Sequence, residues 1–180
     1  ESPPSDTESE VSLSQRDQDW LNSHNTRRQS YHAFYDVAYV PLKWSQELAS
    51  SAQAYADKLV ALDDCTIEHD DGDFGENLAA NWGHDQRRTT ENVLSRWVEE
   101  EADLPYEENG HFTQVIWRST EYLGCGEASK DMGNGMSCHI QVCRYLRPGN
   151  CNSDKKNWEE KMIELDSPCG PFCPNEAGCF

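Results

Sequence analysis

At 180 residues, the chain has room for one domain with a sizeable core, and its hydrophobic fraction of 36% can fill that core. Its 33 acidic and 15 basic side chains give a net charge of -18, which repels nucleic acids and anionic membrane surfaces. No stretch approaches the ~20 consecutive apolar residues of a membrane helix. We therefore expect a soluble monomer with no nucleic-acid partner and no membrane span.

The first part of the chain divides into a tail and a helix. Residues 1–13 are acidic and rich in Ser and Pro, which predicts a flexible acidic tail because ordering them would bury little apolar surface. Ser14 followed by Asp17 is typical of a capped helix start, and the apolar spacing predicts a helix that ends near Ser30. The segment Val40–Trp44 reads as a short extended entry.

A second helix is predicted to begin after Ser45 and to run to about Leu62. Its apolar stripe consists of Leu48, Ala52, Tyr55, Ala56 and Leu59. Cys65 to Gly75 reads as an acidic loop, and a third helix is predicted to start at Thr90. The segment that follows this helix is expected to end at Gly110.

Strands are predicted late in the chain, at Tyr122–Ala128 and Ser137–Tyr145, on either side of a turn-rich segment. This arrangement predicts an antiparallel hairpin. One helical turn is expected around Asn157–Leu165. We divide the chain into the tail, a domain over residues 14–151 and a Cys-rich C-terminal extension over residues 152–180.

Eight cysteines form an even set, and they lack the paired spacings of closed zinc sites. They are Cys65, Cys125, Cys138, Cys143, Cys151, Cys169, Cys173 and Cys179. We interpret them as disulfides, which persist in oxidising compartments. The protein is therefore expected to be secreted and extracellular.

Four segments, in order, resemble the signatures of the CAP superfamily, which comprises cysteine-rich secretory, antigen 5 and pathogenesis-related class 1 proteins. They are His24-Asn25-Thr26-Arg27-Arg28, Gly75-Glu76-Asn77-Leu78, the long signature Gly110 to Thr120, and Val142 to Asn150. The likeness spans residues 15–151 and favours secreted fungal or plant-type members. It implies an α+β fold, a three-layer α-β-α sandwich with a small antiparallel sheet, here followed by a disulfide-stapled extension.

The resemblance also implies a cleft in which two histidines and two glutamates meet. The matching positions are His69, Glu76, Glu100 and His111. His69 and His111 would hold Zn²⁺ or another divalent cation, with Glu76 and Glu100 supporting the imidazoles, and no organic cofactor is expected. A hydrogen-bonded network with no metal is the alternative. A metal-dependent hydrolase would need a nucleophile or activated water, and Ser119 and Thr113 are the nearby hydroxyls of the long signature.

Some members of the family bind sterols through a loop before the long signature, and others hold fatty acids between helices. The matching loop here is Ala102–Asn109, whose clearly apolar residues are Leu104 and Tyr106, and it looks shorter than in the sterol exporters. An alternative groove could be lined by Tyr31, Phe34, Tyr35 and Tyr39, a spacing that is also typical of plain core packing.

Within the resemblance, the cysteines of the domain pair as Cys65 with Cys138 and Cys125 with Cys143. The last four cysteines would staple the extension in an order that remains open. Three functions follow as hypotheses. The first is a carrier of a sterol or fatty acid in defence, virulence or extracellular signalling. The second is a metal-dependent hydrolase, and the third is a scaffold that recognises an extracellular protein partner through the extension.

Overall fold

The computed structural model of the protein describes residues 12–62, 64–166 and 169. Most of the predicted tail, and Cys173 and Cys179, lie outside these residues. The described helices are α1 (Gln15–Phe34), α2 (Gln46–Val60), α3 (Thr90–Trp97), α4 (Gly110–Ile116) and α5 (Trp158–Ile163). The described strands are β1 (Lys43–Trp44), β2 (Gly75–Gly83), β3 (Tyr122–Gly133) and β4 (Met136–Leu146).

The first two helices begin at capping residues. The Ser14 hydroxyl accepts a hydrogen bond from the N–H of Asp17 at 3.1 Å, and the Ser45 hydroxyl accepts one from Leu48 at 3.2 Å. Both bonds satisfy N–H groups that have no partner within the helix. Helix α1 continues four residues beyond the predicted end at Ser30, since no Gly or Pro interrupts it. The longer helix therefore includes Tyr31 and Phe34.

The sheet has the strand order β1-β3-β4-β2. Strands β3 and β4 form the predicted antiparallel hairpin, β2 pairs antiparallel with the other edge of β4, and β1 pairs parallel with β3. Strand β2 is absent from the sequence prediction. Its Asn-rich sequence has low strand propensity, so its conformation depends on pairing with β4, which is distant in the chain.

Residues of β4 alternate between two hydrophobic layers. Cys143 and Tyr145 belong to the core formed with α1, α3 and α4, whereas Ile140 and Val142 belong to the core beneath α2. The sheet therefore lies between helices on both faces. This is the α+β, three-layer sandwich that the resemblance implied.

Helix α2 approaches the sheet closely at two glycines of β3. A Cβ atom added to Gly124 would overlap the backbone at Ala49, and one added to Gly126 would overlap the backbone of Gln53. Gln53 also fixes the register, because its side-chain amide donates to the carbonyl of Glu127 at 2.7 Å and accepts from the N–H of that residue at 3.1 Å.

The His24-to-Arg28 segment anchors the chain around α1. Arg28 is fully buried and donates at 2.7–3.2 Å to the backbone carbonyls of Val40, Val115, Trp117 and Thr120. Burial lowers the pKa of this guanidinium to about 9. Asn25 accepts from the N–H of Leu42 at 2.8 Å and donates to its carbonyl at 3.0 Å. The signature thus connects α1 to the entry of the sheet and to the end of α4.

Part of the C-terminal extension packs into the main core. Met162 of α5 is fully buried there, and its carbonyl accepts a bond from the N–H of Arg118 at 2.8 Å. The disulfide Cys151–Cys169 joins the segments before and after α5.

The other described disulfides are Cys65–Cys138 and Cys125–Cys143, the pairs that the resemblance implied. No helix within the described ranges is long and apolar enough to cross a membrane.

Candidate functional site

His111, the second residue of α4, is held by Glu101. Its Nδ1 lies 2.5 Å from Oε1 of Glu101, and Oε2 of the same carboxylate accepts from the N–H groups of His111 at 3.0 Å and Phe112 at 3.2 Å. These N–H groups belong to the first turn of α4 and have no partner within the helix. Glu101 therefore caps the helix, a role that the side chain of Asn109 does not take.

We predicted this supporting role for Glu100, but the carboxylate that contacts His111 in the structure is that of Glu101. After α3 ends, the N–H of Glu100 bonds to the carbonyl of Ser95, five residues back. This turn is wider than an α-helical turn, so it shifts the residue that faces α4 by one position. The side chain of Glu100 is exposed instead.

His69 lies beside Glu76, at the edge of a buried ion-pair cluster. Its Nδ1 is 3.0 Å from Oε1 of Glu76, and Oε2 of Glu76 accepts from Nε of Arg144 at 3.1 Å. Arg144 also donates to Asp70 at 2.7 Å, and its guanidinium lies 4.0 Å from the ring centroid of Phe74. Glu76 and Arg144 are each 4% exposed, so each compensates the other's buried charge.

Asn77 connects the two histidine–glutamate pairs. It follows Glu76 on β2, and its amide donates to the backbone carbonyl of His111 at 3.2 Å and to the hydroxyl of Tyr145 at 3.2 Å. That hydroxyl lies 2.8 Å from Nε2 of His24, whose pKa burial lowers to about 3. The network extends from the surface into the core through neutral groups.

The donors near His69 and His111 fit at most a weak cation site. In the part of the chain that the structure describes, no group of three or more His, Cys, Asp or Glu residues could hold a metal ion. Each of these histidines directs Nδ1 to a carboxylate, which is the arrangement that supports an imidazole whose Nε2 binds a metal. The metal itself remains a prediction.

The two hydroxyls considered for a hydrolase make other contacts. The hydroxyl of Thr113 donates to the backbone carbonyls of Asn109 and Gly110, both at 3.1 Å. The hydroxyl of Ser119 donates to the carbonyl of Glu164 at 2.8 Å, on the side of α5. Neither bond orients a nucleophile towards a histidine.

A groove of about 520 Å³ lies between the last turns of α1 and the segment that follows α3. Tyr31, Phe34 and Tyr35 project into it at helical spacings of three and four, and Phe112 of α4 forms its floor. The rings of Tyr31 and Phe112 meet edge to face at 5.0 Å, and those of Phe34 and Tyr35 at 5.1 Å. Phe34 is 76% exposed, so this aromatic side chain is not core packing.

The groove contains three of the four aromatic residues in the predicted alternative groove. Tyr39 is not among its lining residues. Leu104 and Tyr106 do not line it either: Leu104 is partly exposed, and the hydroxyl of Tyr106 donates to the carbonyl of Ser153 at 2.6 Å. Tyr106 instead lines a smaller cavity of about 130 Å³ beside the C-terminal segment. Their role in lipid binding stays a prediction.

Comparison with known proteins identifies similar sequences and folds. The family model described as CAP, the cysteine-rich secretory protein family, matches residues 21–145. Pathogenesis-related protein 1C of Nicotiana tabacum is 36% identical over 141 residues, which cover 74% of this chain and 76% of that protein. Pathogenesis-related protein 1 of Arabidopsis thaliana is 34% identical over 144 residues, 77% of this chain and 80% of that protein.

Solved structures share the fold at lower identity. Venom allergen-like protein 4 of Schistosoma mansoni has a TM-score of 0.56 and 24% identity, and covers 77% of this chain and 92% of its own. BmVAL-1 has a TM-score of 0.61 at 24% identity, over 88% of this chain and 86% of its own. NaASP2, solved with Zn²⁺, has a TM-score of 0.56 at 20% identity, over 76% of this chain and 82% of its own.

Proposed function

The chain belongs to the CAP family of cysteine-rich secretory proteins, and from that premise we propose that it is a secreted, defence-related protein that carries a small apolar ligand in the groove beside α1. The names of its plant relatives support the defence role. Its disulfides support an extracellular location.

The groove is the observation that carries this proposal. A volume of about 520 Å³ is within the range of small-molecule pockets, and half of the lining residues are aromatic. Exposed aromatic surface is costly in water, so covering Phe34 and Tyr31 with an apolar ligand would be favourable. A sterol skeleton and an acyl chain both have the apolar surface that such a groove covers.

The proposal is tested by binding of radiolabelled cholesterol and palmitate to delipidated protein. We expect saturable binding of at least one of them. For Phe34→Ala we expect a loss of about tenfold in affinity, which corresponds to about 1.4 kcal/mol of lost aromatic contact. Trp82→Ala is the matched control, since Trp82 is 64% exposed and lies outside the groove. Absence of saturable binding by the unaltered protein would remove the proposal, as would equal losses in both variants.

We further propose that His69 and His111 bind a divalent cation such as Zn²⁺ in a labile manner. The support is that each Nδ1 already faces a carboxylate, which leaves Nε2 as the metal-facing nitrogen. The related fold of NaASP2 was solved with Zn²⁺. Two protein ligands leave coordination positions for water, so the ion would exchange readily.

Calorimetric titration with zinc chloride tests this second proposal. We expect binding to the unaltered protein that is lost in His111→Ala. His84→Ala is the control, because His84 is exposed. Its one described hydrogen bond joins it to the carbonyl of Gly135 in the β3–β4 turn. Identical titrations of the two variants would show that zinc binds elsewhere or nonspecifically.

A further inference from the structure

The groove beside α1 is apolar on its floor and negatively charged on its rim. Glu99 and Asp103 line it together with the aromatic rings. Glu159 adds a third carboxylate at one end, where its Oε1 lies 3.5 Å from the hydroxyl of Tyr35. An apolar ligand in this groove would therefore place its polar end near carboxylates.

Arg27, which contacts Glu99 at this rim, is already paired with two glutamates. Arg27 donates through Nε to Glu99 at 2.8 Å and through Nη2 to Glu91 at 2.6 Å. Its Nη1 donates to Glu91 at 3.1 Å and to the carbonyl of Ser23 at 3.2 Å. The charge of the guanidinium balances one of the two glutamates, so Arg27, Glu91 and Glu99 together keep one negative charge. Each nitrogen of the guanidinium already has an acceptor.

The phenols of the groove are harder to ionise than a free tyrosine. The pKa of Tyr31 is raised, first by burial and then by the charges of Glu99 and Asp103. The pKa of Tyr35 is raised to about 12 by burial and by Glu159. The same burial and the same carboxylates disfavour any further negative charge in the groove.

We infer that the groove selects amphiphiles whose polar end is a positively charged nitrogen, such as a long-chain ammonium, over equally apolar alcohols and carboxylates. The inference rests on the proposed carrier function and names its ligand class. Aromatic faces attract cations through their quadrupoles, and the carboxylates of Glu99, Asp103 and Glu159 attract the same charge. A fatty-acid carboxylate would meet repulsion at the same rim.

Three ligands that share the length of their alkyl chain and differ in the charge of their polar end separate the effect of charge on affinity from that of apolar surface. Dodecyltrimethylammonium, dodecanol and dodecanoate are titrated into the protein by competition with a fluorescent probe. The two ionic ligands are kept below their micellar concentrations and dodecanol below its solubility limit. We expect affinity to fall in that order, with about tenfold or more between the ammonium and the carboxylate. Added salt should narrow the difference, because the rim is exposed to solvent.

Variants of Asp103 test whether the preference for the ammonium ligand comes from the carboxylates at the rim. Asp103 is exposed and makes no described hydrogen bond, so we expect its substitution to leave the fold unchanged. Asp103→Asn should weaken ammonium binding several-fold and change dodecanol binding much less, and Asp103→Lys should shift the preference towards dodecanoate. Asp71→Asn, which removes an exposed carboxylate that does not line the groove, should change nothing.

The outcomes separate the two proposals. If all three ligands bind equally well, or if Asp103→Lys still prefers the ammonium, the inference about charge is overturned while the carrier function stands. If none of the three binds, and cholesterol and palmitate also fail, the carrier function itself is overturned. Preference for the ammonium in the unaltered protein, reversed in Asp103→Lys, supports the inference.

Discussion

Nδ1 of His111 lies 2.5 Å from Oε1 of Glu101, and the other oxygen of Glu101 accepts two backbone N–H groups at the start of α4. One carboxylate thus orients the histidine and closes the helix end. The neighbouring Glu100 has the same chemistry but is turned to solvent. The two positions form a natural pair for testing which glutamate supports the histidine.

Replacing Glu101 should destabilise the protein, whereas replacing Glu100 should not. In Glu101→Gln the amide group takes the place of one acceptor oxygen and the charge is lost, so we expect a decrease of about 1–3 kcal/mol in the free energy of unfolding. Glu100→Gln should change it by less than about 0.5 kcal/mol. Urea unfolding of both variants measures the difference, and the reverse ranking would return the supporting role to Glu100.

Two buried histidines should make the protein sensitive to acid. Burial lowers the pKa of His24 to about 3 and that of His32 to about 4, below the ordinary value of 6.5. The contact of the N–H of Val40 with Nδ1 of His32 at 3.2 Å also requires a neutral ring. Between about pH 6.5 and 4 the unfolded chain binds more protons than the folded one, so stability falls as the pH falls through this window.

His24→Gln removes one of these two titrations. Each buried histidine contributes up to about 1.4 kcal/mol per pH unit in the window, so the variant, although less stable at pH 7, should lose stability less steeply between pH 6 and 4. Urea unfolding at several pH values gives the slope. An unchanged slope in His24→Gln would mean that His24 is not kept neutral in the folded protein.

The closeness of α2 to the sheet should make Gly126 intolerant of a side chain. A Cβ there overlaps the backbone of Gln53, so Gly126→Ala must displace the helix, and we expect a loss of about 3 kcal/mol. Gly110→Ala is the control, because its nearest neighbour would be the Asn150 amide nitrogen at 4.0 Å. Thermal unfolding that ranks the two variants equally would contradict this packing.

The C-terminal segment should contribute to the stability of the domain. Met162 is fully buried in the main core, and Met162→Ala should cost about 2–5 kcal/mol through the lost contacts and the cavity left behind. Leu165→Ala, an exposed apolar residue of the same segment, should cost less than about 0.5 kcal/mol. If both variants unfold like the unaltered protein, α5 is a separate appendage and not part of this core.

The sequence predicted those features that depend on local signals. Capping serines located the starts of α1 and α2, and the late hairpin followed from alternating strands around a turn. The ordered signatures led to the family and to the pair His69 and Glu76. These features need only neighbouring residues, or a motif whose spacing is fixed.

The remaining features arise from tertiary packing. Strand β2 has little strand propensity of its own and forms by pairing with β4. The wide turn at Glu100 shifts the residue facing α4 to Glu101, and no local pattern signals that shift. The groove requires α1 to extend to Phe34, and the compensation of Glu76 by Arg144 joins strands that are 68 residues apart in the chain.

A crystal structure of the protein grown with dodecyltrimethylammonium would locate the bound ligand. We predict electron density for the alkyl chain against Tyr31, Phe34 and Phe112, with the ammonium group beside Asp103. A crystal grown at a saturating concentration of the ligand whose groove is empty, or whose ligand lies on another face of the molecule, would contradict binding in this groove.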